Sequence, residues 1–144
     1  MSSINIYTDG ACKGNPGKGG WCAILLWKDK KKKISGKKKH TTNQEMELHA
    51  IAEGLKALKS KDIPVEIYTD SQYAINGATK WIKGWQLNNW KNAAKKPVKH
   101  QELWQEIWRH TQDLQVSWFW VKGHSGDPLN EEADDEASFQ AMQF

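Results

Sequence analysis

The tetrapeptide Ile-Tyr-Thr-Asp occurs twice in this chain of 144 residues, at 6–9 and again at 67–70. Each copy closes a short apolar run and is followed by a small residue. If the two strands are adjacent and parallel, Asp9 and Asp70 stand about 5 Å apart at the carboxyl end of a sheet, where open α/β sheets bind ligands. Carboxylates that close repel each other unless a cation lies between them. A single strand-end Asp can instead be a turn residue or a helix N-cap, but its repetition in the same setting favours a shared site.

The order of the predicted elements indicates an α/β fold with three strands before the first helix. The strands are expected at about 4–12, Trp21–Trp27, roughly Lys33–Thr41, Val65–Asp70 and Val116–Val121, and the helices from Thr42, around 71–79, 81–85 and 101–111, and after Asp127. The loop at 13–19 joins two strands. It is not a phosphate-binding P-loop, because the required first Gly is replaced by Cys12 and a strand follows.

Two further acids lie on inward-facing rows of predicted helices. Thr42 and Glu45 form a Thr-x-x-Glu capping box, and Glu47 then shares the sheet-facing row with Ile51. A carboxylate there is costly to bury unless a cation meets it, although an acid in a first helical turn also favours the helix dipole. In the last helix Asp134 lies on the row of small residues that contains Ala137.

The four inward acids Asp9, Glu47, Asp70 and Asp134 suit Mg²⁺, or Mn²⁺ as a substitute, because these cations prefer hard oxygen ligands. No cluster of Cys and His favours zinc. His124 lies on a Gly-flanked loop that is expected next to the acids, where it is a candidate proton shuttle or leaving-group acid. A loop histidine by itself is usually a surface residue, and that reading stays open for it.

The charge distribution indicates a polyanion partner. The net charge is +4, and no acid occurs between Ser71 and Gln101, whereas lysines are frequent there. A second lysine-rich stretch spans 28–39, for which a solvated strand pair is the simpler interpretation. Since Arg109 is the only arginine, backbone binding without sequence preference is expected.

Length and composition predict one domain over residues 1–144. Cys12 and Cys22 lack metal-site spacing and fit a reducing compartment. No apolar stretch approaches the roughly 18 residues of a membrane span, and the N-terminus lacks the layout of a signal peptide. We therefore expect a cytoplasmic protein without membrane contact.

Motifs along nearly the whole chain resemble those of bacterial ribonuclease HI. They are Tyr-Thr-Asp-Gly-Ala-Cys with Gly14-Asn15-Pro16-Gly17, Thr-Thr-Asn-Gln-Glu-Met-Glu-Leu at 41–48, Asp-Ser-Gln-Tyr at 70–73, Lys-Lys-Pro-Val-Lys at 95–99, and Trp-Val-Lys-Gly-His at 120–124 followed by 130–134. The resemblance implies a ribonuclease H-like fold, a mixed five-stranded sheet flanked by helices with a basic protrusion between the middle helices. It also implies a monomer that needs no protein partner and cleaves the RNA strand of RNA–DNA hybrids with Mg²⁺, leaving 5′-phosphate and 3′-hydroxyl ends.

The resemblance also implies roles for individual residues. Asp9, Glu47, Asp70 and Asp134 match the metal-binding catalytic acids, and His124 matches the loop histidine. The residues that match the family's minor-groove contacts, which sense 2′-hydroxyls, are Cys12, Gly14, Asn15, Asn43, Gln44 and Gln72. Those that match the phosphate pocket and the basic protrusion are His40, Thr42, Trp81, Lys83, Lys91, Lys95, Lys96, Lys99 and His100. Trp104, Trp118 and Trp120 are interpreted as core residues.

Three positions depart from the family pattern. His40 stands where many relatives carry Arg, His100 where they carry Asn, and Glu45 where a basic residue is common. The departures bear on affinity and strand preference rather than on the reaction. Two other classes remain possible: a non-catalytic hybrid-binding module, which would not need four inward acids, and an integrase or exonuclease of the same superfamily, which would not need a basic protrusion.

Overall fold

The computed structural model describes residues 3–122 and 126–144. Its strands are β1 (Ile4–Lys13), β2 (Gly17–Trp27), β3 (Lys30–Thr41), β4 (Val65–Thr69) and β5 (Val116–Trp120). Its helices are α1 (Asn43–Lys56), α2 (Gln72–Asn76), α3 (Ile82–Leu87), α4 (Gln101–Thr111) and α5 (Pro128–Ala141), with a π-helical turn over Gly77–Trp81 between α2 and α3. His124 was a predicted site residue, and it lies outside the described residues.

The five strands form one mixed sheet in the order β3-β2-β1-β4-β5. Strand β1 is antiparallel to β2 and parallel to β4, and β4 is parallel to β5. The register of the first parallel pair sets Thr8 opposite Thr69, so the two copies of the repeated tetrapeptide lie side by side. This confirms the predicted fold class and the predicted parallel arrangement of the strands that carry Asp9 and Asp70.

Helices cover both faces of the sheet. One face packs against α1 and α4 through a core in which Ile6, Ile67, Leu48 and Trp104 are fully buried. The opposite face packs β1, β2 and β3 against α5 through small side chains, including those of Ala133 and Ala137. Close approach of α5 to the sheet therefore depends on small residues along one helical row, as the sequence pattern predicts.

Strands β2 and β3 both start earlier than expected, β2 at Gly17 rather than Trp21 and β3 at Lys30 rather than Lys33. A run of glycines disfavours a strand by propensity. Here the tertiary structure requires it: a Cβ on Gly20 would overlap the backbone of α5 at Ala137. Packing overrides propensity at this point.

The segment after β4 was expected to form two helices, at 71–79 and 81–85. It is helical from Gln72 to Leu87, with the π-helical turn in its middle. Gly77 in this turn touches the ring of Trp104, and a Cβ would overlap that ring. The π-helical turn therefore lies where the chain passes over the large buried ring of Trp104.

The prediction that three tryptophans belong to the core is only partly right. Trp104 is fully buried, and Trp118 is partly buried against the core. Trp120 is 49% exposed, so its interpretation as core is wrong. It ends β5, which is an edge strand, and alternation along a strand cannot reveal whether another element covers a face.

Among the described residues, no helix has both the length and the apolar character that a bilayer crossing requires.

Candidate active site

Three carboxylates meet at the carboxyl ends of the two central parallel strands. Asp9 is in β1, Asp70 directly follows β4, and Glu47 is in the first half of α1. One oxygen of each lies within 4.8 Å of the others. Asp9 is 2% exposed and Glu47 4% exposed. The expected proximity of these acids is confirmed.

The local backbone explains how α1 brings Glu47 to the strand. Gly10 has its backbone N–H pointed at Asp9 and donates to Oδ1 of that side chain at 2.8 Å. Helix α1 crosses directly over Gly10, since an added Cβ there would lie 2.6 Å from the carbonyl carbon of Met46. Thr42 caps the helix by accepting a hydrogen bond from the Glu45 N–H at 3.2 Å.

The second half of the predicted capping box differs from expectation. The Glu45 carboxylate accepts hydrogen bonds from the Thr41 hydroxyl and, at 3.0 Å, from the Lys38 ammonium. These contacts bind the end of β3 to the first turn of α1. They also hold the pKa of Glu45 below its ordinary value, against the opposing effect of burial.

Burial and mutual repulsion disfavour the ionised forms of the clustered carboxylates. Burial, together with the charges of Asp70 and Asp134, raises the pKa of Asp9 to about 8. Burial and the charges of Asp9 and Asp70 raise the pKa of Glu47 well above its ordinary value. Carboxyl groups in a cleft with pKa values raised by burial and by neighbouring acids are typical of functional sites.

The cluster fits a divalent cation. Asp9 Oδ2 and Glu47 Oε2 are buried and have no hydrogen-bond partner within the described structure. A buried carboxylate oxygen without a partner is costly, and a cation bound by all three carboxylates would supply the missing interaction. Hard carboxylate oxygens at this spacing suit Mg²⁺ or Mn²⁺.

Asp134, the fourth predicted acid, borders the same cleft from α5. The cleft has a volume of about 420 Å³. Its lining consists of Asp9, Gly10, Ala11, Cys12, Lys13, Asn43, Glu47, Asp70, Ser71, Asp134 and Ser138. Asp134 thus lies beside the three-carboxylate cluster, and its charge raises the pKa of Asp9.

Two of the predicted minor-groove residues, Cys12 and Asn43, line this cleft. Gly14 is in the β1–β2 turn with a φ of 72°, a conformation that favours glycine. Cys12 Sγ lies 3.4 Å from the carbonyl oxygens of both Gly14 and Thr41. Asn15 Oδ1 accepts from the backbone N–H of Asn43 at 3.0 Å, so the side chain of Asn15 connects the turn to the start of α1.

The predicted phosphate-pocket residues lie near the start of α1 and the start of α4. His40 is exposed at the end of β3. His100 is the N-cap of α4 in a left-handed conformation, and its Nε2 is buried without a hydrogen-bond partner within the described structure. Burial lowers the pKa of His100, with Lys99 and Lys38 acting in the same direction and Glu45 opposing them. Lys99 donates to Gln44 Oε1 at 3.3 Å.

The predicted basic protrusion is an ordered turn. Asn92 Oδ1 accepts from the backbone N–H groups of Ala94 and Lys96 at 2.9 and 3.1 Å. Val98 is buried beneath it. The predicted lysines are exposed to solvent: Lys83, Lys91, Lys95, Lys96 and Lys99.

Two other predicted substrate-binding residues lie in the helical segment after β4. Gln72 begins α2. Trp81 is 41% exposed, and its ring packs against those of Trp85 and Tyr73.

Sequence reasoning missed several residues of the cleft. Lys13 and Ser138 follow Asp9 and Asp134 by four positions, and Ser71 directly follows Asp70. Side chains return to the same face every two residues along a strand and about every four residues along a helix, so Lys13 and Ser138 lie on the same faces as Asp9 and Asp134. The sequence pattern could therefore have predicted both residues. Trp120 Nε1 donates to the carbonyl of Asp70 at 3.2 Å; nothing in the sequence points to that contact.

A sheet of this topology with a carboxylate cluster at the ends of its central parallel strands defines a class of metal-dependent nucleases. The RNase H family model matches residues 1–142. The chain belongs to the ribonuclease H family.

Individual relatives agree with this assignment. The ribonuclease H of Bradyrhizobium diazoefficiens is 56% identical over 131 residues, which cover 91% of this chain and 84% of the relative. That of Neisseria gonorrhoeae is 52% identical over 141 residues, covering 98% of this chain and 97% of the relative.

Solved structures show the same fold. LC9-RNase H1 superposes with a TM-score of 0.85 at 28% identity, covering 98% of this chain and 74% of the solved chain. LC11-RNase H1 superposes with a TM-score of 0.73 at 20% identity, covering 95% of each chain.

Proposed function

We propose that this chain is a single-domain endoribonuclease that hydrolyses the RNA strand of RNA–DNA hybrids with the help of Mg²⁺. The observation that carries the proposal is the buried cluster of Asp9, Glu47 and Asp70, whose oxygens lie within 4.8 Å of one another in a chain of the ribonuclease H family. LC11-RNase H1, which shares the fold, was solved in complex with an RNA/DNA hybrid. Mn²⁺ is an expected substitute for Mg²⁺, because it has the same ligand preference.

The reaction is hydrolysis of a phosphodiester. Water adds to phosphorus, the bond to the 3′-oxygen breaks, and that oxygen takes up a proton, which leaves 3′-hydroxyl and 5′-phosphate ends. A divalent cation held by Asp9, Glu47, Asp70 and Asp134 supplies a lowered water pKa and neutralises charge on the phosphate. Asp9 and Glu47 are buried, whereas Asp70 and Asp134 are half-buried, so the cleft stays open to the water that the reaction consumes. His124 is proposed to give or take the proton of the leaving group.

The surroundings of the cleft support a duplex substrate. The proposed minor-groove contacts are Cys12, Gly14, Asn15, Asn43, Gln44 and Gln72. The proposed contacts to the DNA strand are His40, Thr42, Trp81, His100 and the five protrusion lysines. The exposed ring of Trp81 and the five exposed lysines provide an apolar and cationic surface suited to a sugar-phosphate backbone. We further propose that the protein acts in the cytoplasm as a monomer.

The test is cleavage of a labelled RNA–DNA hybrid beside single-stranded RNA and duplex DNA, in Mg²⁺ or in EDTA. We expect cleavage of the hybrid's RNA strand only, and only with the metal. Cleavage of all three substrates, or full activity in EDTA, would contradict the proposal.

A matched pair of variants tests the carboxylate cluster. Asp70→Asn removes a charge from the site with almost no change in shape, and we expect activity to fall by orders of magnitude while the fold is kept. Asp62→Asn makes the same chemical change at an exposed position after α1, and activity should be unaffected. Wild-type turnover in Asp70→Asn would exclude Asp70 as a ligand.

A further inference from the structure

Lys13 borders the acidic cleft at the end of β1. Among the described residues that line this cleft, it is the one with a positive charge. It lies on the same strand face as Asp9, four residues further along, which corresponds to about 13 Å in an extended strand. Its side chain is exposed. Lys13 is therefore placed beside the reaction centre rather than in it.

The register of the first hairpin places a second lysine directly opposite. Lys13 pairs with Lys18 across β1 and β2, so the two side chains leave the same face of the sheet. Like charges directly opposite each other destabilise a strand pair. Within the described part of the chain neither lysine forms an ion pair with an acid, and the Lys18 ammonium lies 5.9 Å from the ring of Phe144.

Two exposed lysines directly opposite each other on neighbouring strands, one of them in the lining of the cleft, have a complement in a phosphate group between them. We propose that Lys13 and Lys18 together bind a phosphate of the cleaved strand that neighbours the scissile one. This inference rests on the proposed function. The separation from Asp9 excludes the scissile phosphate itself, and the place of Lys13 in the lining of the cleft keeps the pair close to the strand that is cut there.

A different role for Lys13 makes a different prediction. If the lysine served only to reduce repulsion among the acids, its removal would leave the site more negative, strengthen metal binding, and leave the salt dependence of hybrid binding unchanged. If the pair binds a phosphate, hybrid binding changes and metal affinity does not. Lys18, on the neighbouring strand, should matter only in the second case.

Binding is measured in an Asp70→Asn background, so that the hybrid stays intact. The variants Lys13→Met, Lys18→Met and the double variant keep the alkyl stems and remove the charges. We expect several-fold weaker binding at low salt. A plot of log affinity against log salt should be shallower by a little under one unit for each phosphate that is no longer neutralised. The matched control is Lys59→Met, an exposed lysine just beyond the opposite end of α1.

The position of the phosphate is tested with hybrids that carry one neutral methylphosphonate in the RNA strand, placed at each site in turn. In the parent, one or two positions near the cleavage point should weaken binding. In the double lysine variant, a methylphosphonate at the same positions should not weaken binding further, because the lysine charges that the phosphate would contact are already absent. In the otherwise native enzyme the double variant should raise KM and leave kcat unchanged.

The outcomes distinguish a failure of the proposed function from a failure of the proposed phosphate site. A parent enzyme that does not cut the hybrid refutes the proposed function. A parent that cuts the hybrid, with salt slopes in Lys13→Met and Lys18→Met equal to that of Lys59→Met, refutes the phosphate site alone. A change confined to Mg²⁺ affinity refutes it as well. Unchanged or raised Tm values in the variants show that a loss of binding does not come from unfolding.

Discussion

Gly10 and Glu47 touch through their backbones: a Cβ added to Gly10 would lie 2.5 Å from the Glu47 nitrogen. No side chain fits between β1 and the first half of α1. The absence of a Cβ at one position thus allows a buried helical carboxylate to reach the end of the strand that carries Asp9. The carboxylate cluster depends on this close approach as much as on the acids themselves.

Gly10→Ala should therefore damage both stability and activity. The added methyl group meets backbone atoms of Met46 and Glu47, which cannot move without displacing α1. We expect a loss of about 2 kcal/mol in the free energy of unfolding, as for overpacked sites, and a large fall in kcat. Gly84→Ala is the control, since a Cβ there meets nothing within 4 Å. It should raise stability by about 0.5–1 kcal/mol. Equal effects of the two changes in a denaturant titration would exclude this account of Gly10.

Without metal, the stability contributed by Asp9 should decrease as the pH rises. The pKa of Asp9 is about 8 in the folded protein, above its ordinary value of 3.8, so the folded state binds the proton more tightly than the unfolded state. The contribution is complete below about pH 4 and is lost as the pH rises through about 8.

Asp9→Asn removes this titration and provides the measurement. In EDTA we expect the variant to gain stability relative to the parent from pH 4 to pH 8. Saturating Mg²⁺ should reduce or reverse the difference, because the cation stabilises the ionised form of the parent. A stability difference that is independent of pH in EDTA would contradict the raised pKa.

Hybrid affinity should strengthen as the pH falls from about 8 to about 6. Burial lowers the pKa of His100 in the free protein, with Lys99 and Lys38 adding to this effect and Glu45 opposing it. A bound phosphate favours the imidazolium and raises that pKa, so binding takes up a proton. His40 is exposed at the end of β3, in the same proposed phosphate pocket.

Affinity must be measured in the Asp70→Asn background, since the catalytic acids also titrate. The decisive comparison is with the His40→Ala, His100→Ala double variant. We expect its affinity to change less with pH than that of its parent, because Asp9 still titrates in both proteins. If the double variant and its parent show the same pH dependence, neither histidine binds phosphate.

The protrusion should act through charge alone. Lys83, Lys91, Lys95, Lys96 and Lys99 are exposed, and the turn that presents them is held by Asn92 and Val98 rather than by the lysines. Changing several of them to Ala should weaken hybrid binding and lower the salt slope by somewhat less than one unit for each lysine that neutralises a phosphate. Turnover at saturating hybrid should stay the same. A slope identical to that of the parent would show that these lysines do not contact phosphates.

Local chemistry was predictable from the sequence. The strand that contains Asp9, the capping of α1 by Thr42 and the capping of α5 by Asp127 each depend on neighbours in the chain. Asp127 does accept from the N–H groups of Leu129 and Asn130. The repeated tetrapeptide and the inward rows of Glu47 and Asp134 likewise indicated a metal site. Periodicity reports which face of an element a residue occupies.

What covers that face was decided only by the tertiary structure. Trp120 alternates with its neighbours like a core residue, but β5 is an edge strand and leaves its ring exposed. Gly20 weakens a strand by propensity, yet the approach of α5 requires it. Strand pairing sets Lys13 opposite Lys18, and the crossing of α1 over Gly10 buries Glu47. These relationships join residues that are distant along the chain or on different elements, so they arise from the packing of the whole chain and not from any local pattern.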